Sequence, residues 1–95
     1  MLDLTKLFRT AKGSKNYSAG ETIIEVGDIS REMYVVLEGQ TDIIANEKII
    51  ETVNPGGIFG EMALIDAAPR SATVIARCDC CLVPVDQKEF QYLVQ

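Results

Sequence analysis

Residues 56–76 read GGIFGEMALIDAAPRSATVIA, and both the fold and the chemistry of the chain are read outward from this stretch. A turn at Asn54-Pro55-Gly56-Gly57 leads through Ile58 and Phe59 to Gly60, then to the helix-forming run Glu61-Met62-Ala63-Leu64. After the linker Ile65-Asp66-Ala67-Ala68 come Pro69 and then Arg70-Ser71-Ala72-Thr73, entering an apolar strand. Each part suits a small anion. Gly60 has no Cβ, so it accepts strained backbone angles and lets a ligand approach the main chain. The start of a helix offers unpaired N–H groups and the positive end of the dipole. Arg70, the one basic residue between Lys48 and Arg77, supplies a planar fork matched to a phosphate, and Pro69 presets the turn that aims it. Glu61 sits badly beside a phosphate but suits a neutral hydroxyl farther along the ligand, as a ribose 2′-OH would provide.

Outward from this segment, short β-favouring runs recur at near-regular intervals with glycine-containing turns, which indicates an all-β roll or jelly roll. Strands are predicted at Tyr17 and at residues 22–26, 33–37, 41–45, 48–53, 71–77 and 80–85. The run 33–37, MYVVL, is unbroken and short enough for a buried strand rather than a helix. Turns fall at Ala19-Gly20, Gly27-Asp28 and Asn46-Glu47. Residues 2–8 (LDLTKLF) read as a short helix or strand capping one end of the core, and residues 11–16 as a surface connection. The final segment, 86–95, opens with a capping box, Asp86 as N-cap and Glu89 three residues later, and places Phe90, Leu93 and Val94 on one helical face. Leu64 and Ile65 are assigned to core packing and Asp66 to a solvated linker.

Composition bounds the function. Ninety-five residues predict one domain, 1–95, and a chain of this size buries roughly two-thirds of its unfolded surface. No apolar run approaches the roughly 20 residues that span a bilayer, and the N-terminus lacks the order of a signal peptide, so a cytoplasmic location is expected. The net charge of −5, from 14 acidic and 9 basic residues without a basic cluster, argues against a nucleic-acid polymer. There is no histidine, which removes Ser-His and Cys-His nucleophile pairs and the usual ligands of metal-dependent phosphodiesterases. No catalytic residue, metal or cofactor is therefore expected. Cys78 and Cys81 have C-x-x-C spacing, but without a second pair, and with strand neighbours pointing to opposite faces, the three cysteines read as small apolar strand residues.

FGEMAL, five residues, then RSATVIA resembles the phosphate-binding cassette of the cyclic nucleotide-binding domain family. That family includes bacterial catabolite activator proteins, cyclic-nucleotide-dependent kinases and cyclic-nucleotide-gated channels. The runs IIEVGD (23–28) and MYVVLEG (33–39) are similar to its other signature, so the likeness covers most of residues 20–76. One departure is Ser30, where the family more often has Gly, Ala or Cys, set away from the cassette. The resemblance implies a mainly β fold: an antiparallel β-roll with a short phosphate-binding helix and a terminal helix. It implies that Glu61 binds ribose and Arg70 phosphate, with Gly60, Met62, Ala63 and Ser71 contributing backbone N–H groups. Ala72, Thr73, Val74 and Ile75 would form the wall under the sugar or base. Ser71 leans towards cAMP, because Ser occupies this place in the family's bacterial cAMP receptors; serine also carries a hydroxyl, so cGMP stays open. In the family a hinge and a longer helix follow the terminal helix, move on binding and often cover the base. The sequence stops before them, which implies either a fragment, with any effector domain or partner outside it, or an open base. The expected function is a non-catalytic sensor of a 3′,5′-cyclic nucleotide. The rivals are a roll that serves only as an interaction or structural domain and, weaker still, a cyclic phosphodiester hydrolase.

Overall fold

The apolar run at 33–37 forms the strand on which both halves of the core are built. In a computed structural model, which describes residues 13–93, all five of these side chains are buried. The elements in chain order are β1 (Lys15–Tyr17), β2 (Thr22–Ile24), β3 (Glu32–Glu38), β4 (Thr41–Ala45), β5 (Lys48–Val53) and β6 (Ile58–Phe59). A 3₁₀ helix (Glu61–Leu64), β7 (Thr73–Ala76), β8 (Cys80–Asp86) and α1 (Gln87–Leu93) follow. All pairings are antiparallel. They give two four-stranded sheets, ordered β1-β8-β3-β6 and β2-β7-β4-β5, the expected β-roll.

Strand side chains alternate between faces, and β3 and β8 use both. Tyr34, Val36, Cys80 and Leu82 meet Ile24, Val53, Phe59, Val74 and Ala76 in one cluster, whose members come from both sheets. Met33, Val35, Leu37, Val83 and Val85 form a second cluster with Leu64, and Phe90 of α1 packs against it. The sheet is covered on its second face by the two helices, which is why the 33–37 run carries no polar residue.

The strand predictions hold with shifted ends. β1 takes in Lys15 and Asn16, assigned above to a surface connection, because they pair with Leu82 and Cys81 of β8. β2 ends at Ile24, two residues early, and β7 runs 73–76 rather than 71–77. Asn46 and Glu47, with φ of 52° and 63°, make the tight turn between β4 and β5. Cys78 precedes β8, a correction to its reading as a strand residue, whereas Cys80 and Cys81 lie on it. Burial pushes the Cys80 thiol above its ordinary pKa, and Sγ lies 3.0 Å from the carbonyl oxygens of Gln40 and of Cys78, which share its single S–H as acceptors. The capping box forms: Asp86 Oδ1 accepts from Glu89 N–H at 2.8 Å and Glu89 Oε1 from Asp86 N–H at 3.3 Å. Residues 2–8, Val94 and the side chain of Leu93 lie outside the described residues. No helix among the described residues is long and apolar enough to cross a membrane.

Candidate ligand-binding site

The segment 60–72 bridges the two sheets. It leaves the edge strand β6, which pairs with β3 through Phe59 and Tyr34, and arrives at β7, which lies between β2 and β4. Between these anchors the chain makes the 3₁₀ helix and returns through Pro69, enclosing a cavity of about 340 Å³. That volume lies in the range of small-molecule sites, roughly 300 to 1,000 Å³.

Gly60 takes a left-handed φ of 80° and turns the chain into the 3₁₀ helix. The helix is tighter than an α-turn: Ala63 N–H returns to Gly60 O at 3.3 Å. Three residues per turn also decide what is buried. Ala63 and Leu64 face inward at 6% and 4% exposure, whereas Ile65 eclipses the exposed Met62 and is itself 68% exposed. Ile65 therefore does not join the core, contrary to its assignment above.

Arg70 is the chemical centre. It is buried, at 8% exposure, yet no carboxylate among the described residues pairs with it. Its Nη1 donates to Gly60 O at 2.8 Å, Nη2 donates to Glu32 O, and Nε donates to Ser30 Oγ at 3.4 Å. A guanidinium has five N–H groups, so these contacts leave one donor on each terminal nitrogen. The backbone of residue 70 is fixed as well: Gly27 N–H donates to Arg70 O and Arg70 N–H to Asp28 O, both at 2.8 Å. Ser30, placed away from the cassette in the sequence expectation, thus touches its central side chain. The loop after β2 is long enough to fold back onto residue 70, which no spacing within the cassette reports.

Gly60, Glu61, Met62, Ala63, Arg70, Ser71 and Ala72 all line this one cavity. Glu61 is half-buried, and Met62 and Ser71 are exposed at its edge. The wall is half of that expected. Ala72 and Val74 line the cavity, but strand alternation turns Thr73 and Ile75 away, and Thr73 Oγ1 accepts instead from Val26 N–H at 3.0 Å. Asp66, assigned to a solvated linker, is exposed but also lines the cavity, its Oδ1 accepting from Ala68 N–H at 3.2 Å. Ile24, Ile43 and Phe59 complete the apolar floor and were not identified from sequence. They arrive from β2, β4 and β6, and only the pairing of the sheets brings them together.

A buried guanidinium without a carboxylate partner among the described residues thus shares one cavity with a glycine turn, a set of apolar side chains and Glu61. Residues 14–95 match the family model described as the cyclic nucleotide-binding domain, and the chain belongs to that family. Among solved structures, it is similar to PKAR CBD2 with Sp-2Cl-cAMPS bound, at 36% identity and a TM-score of 0.81, over 85% of this chain and 56% of that one. The catabolite activator protein of Thermus thermophilus matches at 28% identity and a TM-score of 0.80, over 85% of this chain and 40% of that one. A protein from a cyclic-GMP-dependent signalling pathway that regulates bacterial phytopathogenesis matches at 31% identity and 0.83, over 99% of this chain and 79% of that one. The first two of these relatives are thus considerably longer than the part of them that this chain spans.

Proposed function

We propose that this chain is a non-catalytic sensor that binds a 3′,5′-cyclic nucleotide, cAMP in preference to cGMP, and passes occupancy to its C-terminal helix. One observation carries the reading: Arg70 is buried without a carboxylate partner among the described residues and keeps one donor on each terminal nitrogen. A buried cation left uncompensated is costly, and an anion that takes both donors relieves that cost. The cyclic phosphate is such an anion. Glu61, nine residues before Arg70 in the same cavity, accepts the ribose 2′-OH, and the backbone of Gly60, Met62, Ala63 and Ser71 lines the phosphate side. Ala72, with Ile24, Ile43 and Val74, takes the sugar or base, and Ser71 is the residue on which the preference for cAMP rests.

Two contacts support a relay. Gln87 Nε2, in the first turn of α1, donates to Leu64 O at 3.2 Å, and Phe90 packs in the cluster that holds Leu64. In this reading the end of the 3₁₀ helix is linked to the start of α1 through these two contacts. In this reading the chain acts as one domain over 1–95 in the cytoplasm, without metal or cofactor and without a nucleic-acid or membrane partner, and any effector is a separate domain or protein.

Calorimetric titration tests the reading. Arg70→Ala removes a charge-assisted pair from a buried place and is expected to weaken cAMP binding on the order of 100-fold, with the circular dichroism spectrum of the fold retained. Equal affinity in wild type and variant would sink the assignment of Arg70. No shift in Tm at millimolar cAMP or cGMP would favour a roll that serves only as an interaction domain, and AMP appearing in the incubation would mark a hydrolase.

A further inference from the structure

Among the acceptors that hold the Arg70 guanidinium, two are main-chain oxygens and one is a side chain. The carbonyls of Gly60 and Glu32 persist whatever side chains those residues carry; Ser30 Oγ, which accepts from Nε at 3.4 Å, does not. Ser30 has no packing role to explain its place. It is exposed, on a loop whose residues 25–31 are all exposed, and that loop is bonded to the backbone of residue 70 through Gly27 and Asp28. The loop therefore carries the hydroxyl to Nε in fixed register with the arginine.

A guanidinium is planar and rigid, so acceptors at all three nitrogens fix its plane and its rotation within that plane. With only the two carbonyls, the fork can rock about its long, flexible stem while keeping either bond. The position of the two remaining N–H groups, one on each terminal nitrogen, then spreads. Bidentate recognition of an anion depends on that position.

We infer that Ser30 is a positioning residue for the ligand phosphate: its hydroxyl, by accepting from Arg70 Nε, orients the guanidinium so that the free N–H groups of the two terminal nitrogens meet the phosphate as a pair. The inference rests on the assignment of Arg70 to the phosphate. Ser30→Ala is expected to weaken cAMP binding roughly fivefold, less than the roughly tenfold or more of a well-formed hydrogen bond to a charged group, because 3.4 Å is long. The Tm of the unliganded protein stays as in wild type, Ser30→Thr restores the affinity, and Ser30→Ala added to Arg70→Ala changes nothing further. Before any nucleotide is added, the Arg70 Nε–H signal in ¹H–¹⁵N spectra exchanges with solvent faster in Ser30→Ala than in wild type, because its acceptor is gone; a merely structural contact would lower Tm and leave the affinity unchanged. Loss of binding in Arg70→Ala with unchanged affinity in Ser30→Ala, or an unaltered Nε–H exchange rate, overturns the role of Ser30 and leaves that of Arg70 standing. Absence of cAMP binding by the wild type overturns both.

Discussion

At Gly60 the backbone φ is 80°, and a Cβ built there would lie 3.1 Å from Arg70 Nη1, 3.2 Å from Glu32 O and 3.2 Å from Ile24 Cδ1. Two separate costs follow. A left-handed conformation costs an L-residue roughly 1 to 2 kcal/mol, and the crowding pushes on the guanidinium that Gly60 O itself holds. Gly27 separates them, since its φ is 88° but a Cβ there would meet nothing within 4 Å. Gly27→Ala is expected to cost about 1 kcal/mol in urea unfolding and to leave ligand affinity near wild type. Gly60→Ala is expected to cost about 2 to 3 kcal/mol and to weaken cAMP binding at least tenfold, because Arg70 must move. If the two variants unfold at the same midpoint and bind alike, the close approach at Gly60 has no energetic weight. The same crowding explains why the residue that leads into the 3₁₀ helix bears no side chain at all.

At the scale of elements, the covering of β3 by two helices decides how far the sequence could be read. MYVVL at 33–37 announced a buried strand, and Asp86 with Glu89 announced α1, because each signal is local and complete within a few residues. β6 was not legible: two residues, Ile58 and Phe59, cannot display a period, and their pairing with Val35 and Tyr34 is a long-range event. Ile65 was misread for a related reason, since whether EMALI winds at 3.0 or 3.6 residues per turn decides its face and four residues do not announce the choice. In the site, residues contiguous in the cassette were legible, and Ser30, Ile24, Ile43 and Phe59 were not, because the loop and the sheets bring them in from elsewhere. The contact of α1 with the 3₁₀ helix yields a prediction of its own. Phe90 is half-buried against the Leu64 cluster, so Phe90→Ala is expected to destabilise the fold by about 1 to 3 kcal/mol, less than a fully buried phenylalanine would. Urea unfolding measures it, and an unchanged midpoint would mean that α1 does not dock.

At the scale of the whole molecule, the two sheets share a cluster that buries the ring of Tyr34, with Tyr17 packed against it. Tyr34 is 7% exposed and stacks on Phe59, ring centroids 5.2 Å apart with planes 15° from parallel. Burial foremost, with Tyr17 and Glu32 adding repulsion, pushes its hydroxyl from 10.0 up to about 12. Below pH 10 the folded and unfolded chains both hold this proton, and stability does not depend on it. Between pH 10 and 12 the unfolded chain has lost the proton and the folded chain keeps it, so stability falls as pH rises. The loss approaches about 2 kcal/mol by pH 12, at 1.36 kcal/mol per unit and reduced for relaxation of the site. Tyr34→Phe keeps the stack and removes the ionisation. The difference between wild-type and Tyr34→Phe unfolding free energies is therefore expected to stay constant from pH 7 to about 10 and then to move by up to about 2 kcal/mol in favour of the variant. A difference that stays flat to pH 12 would show that water reaches the hydroxyl in the folded state, and that the cluster joining the two sheets is open at Tyr34.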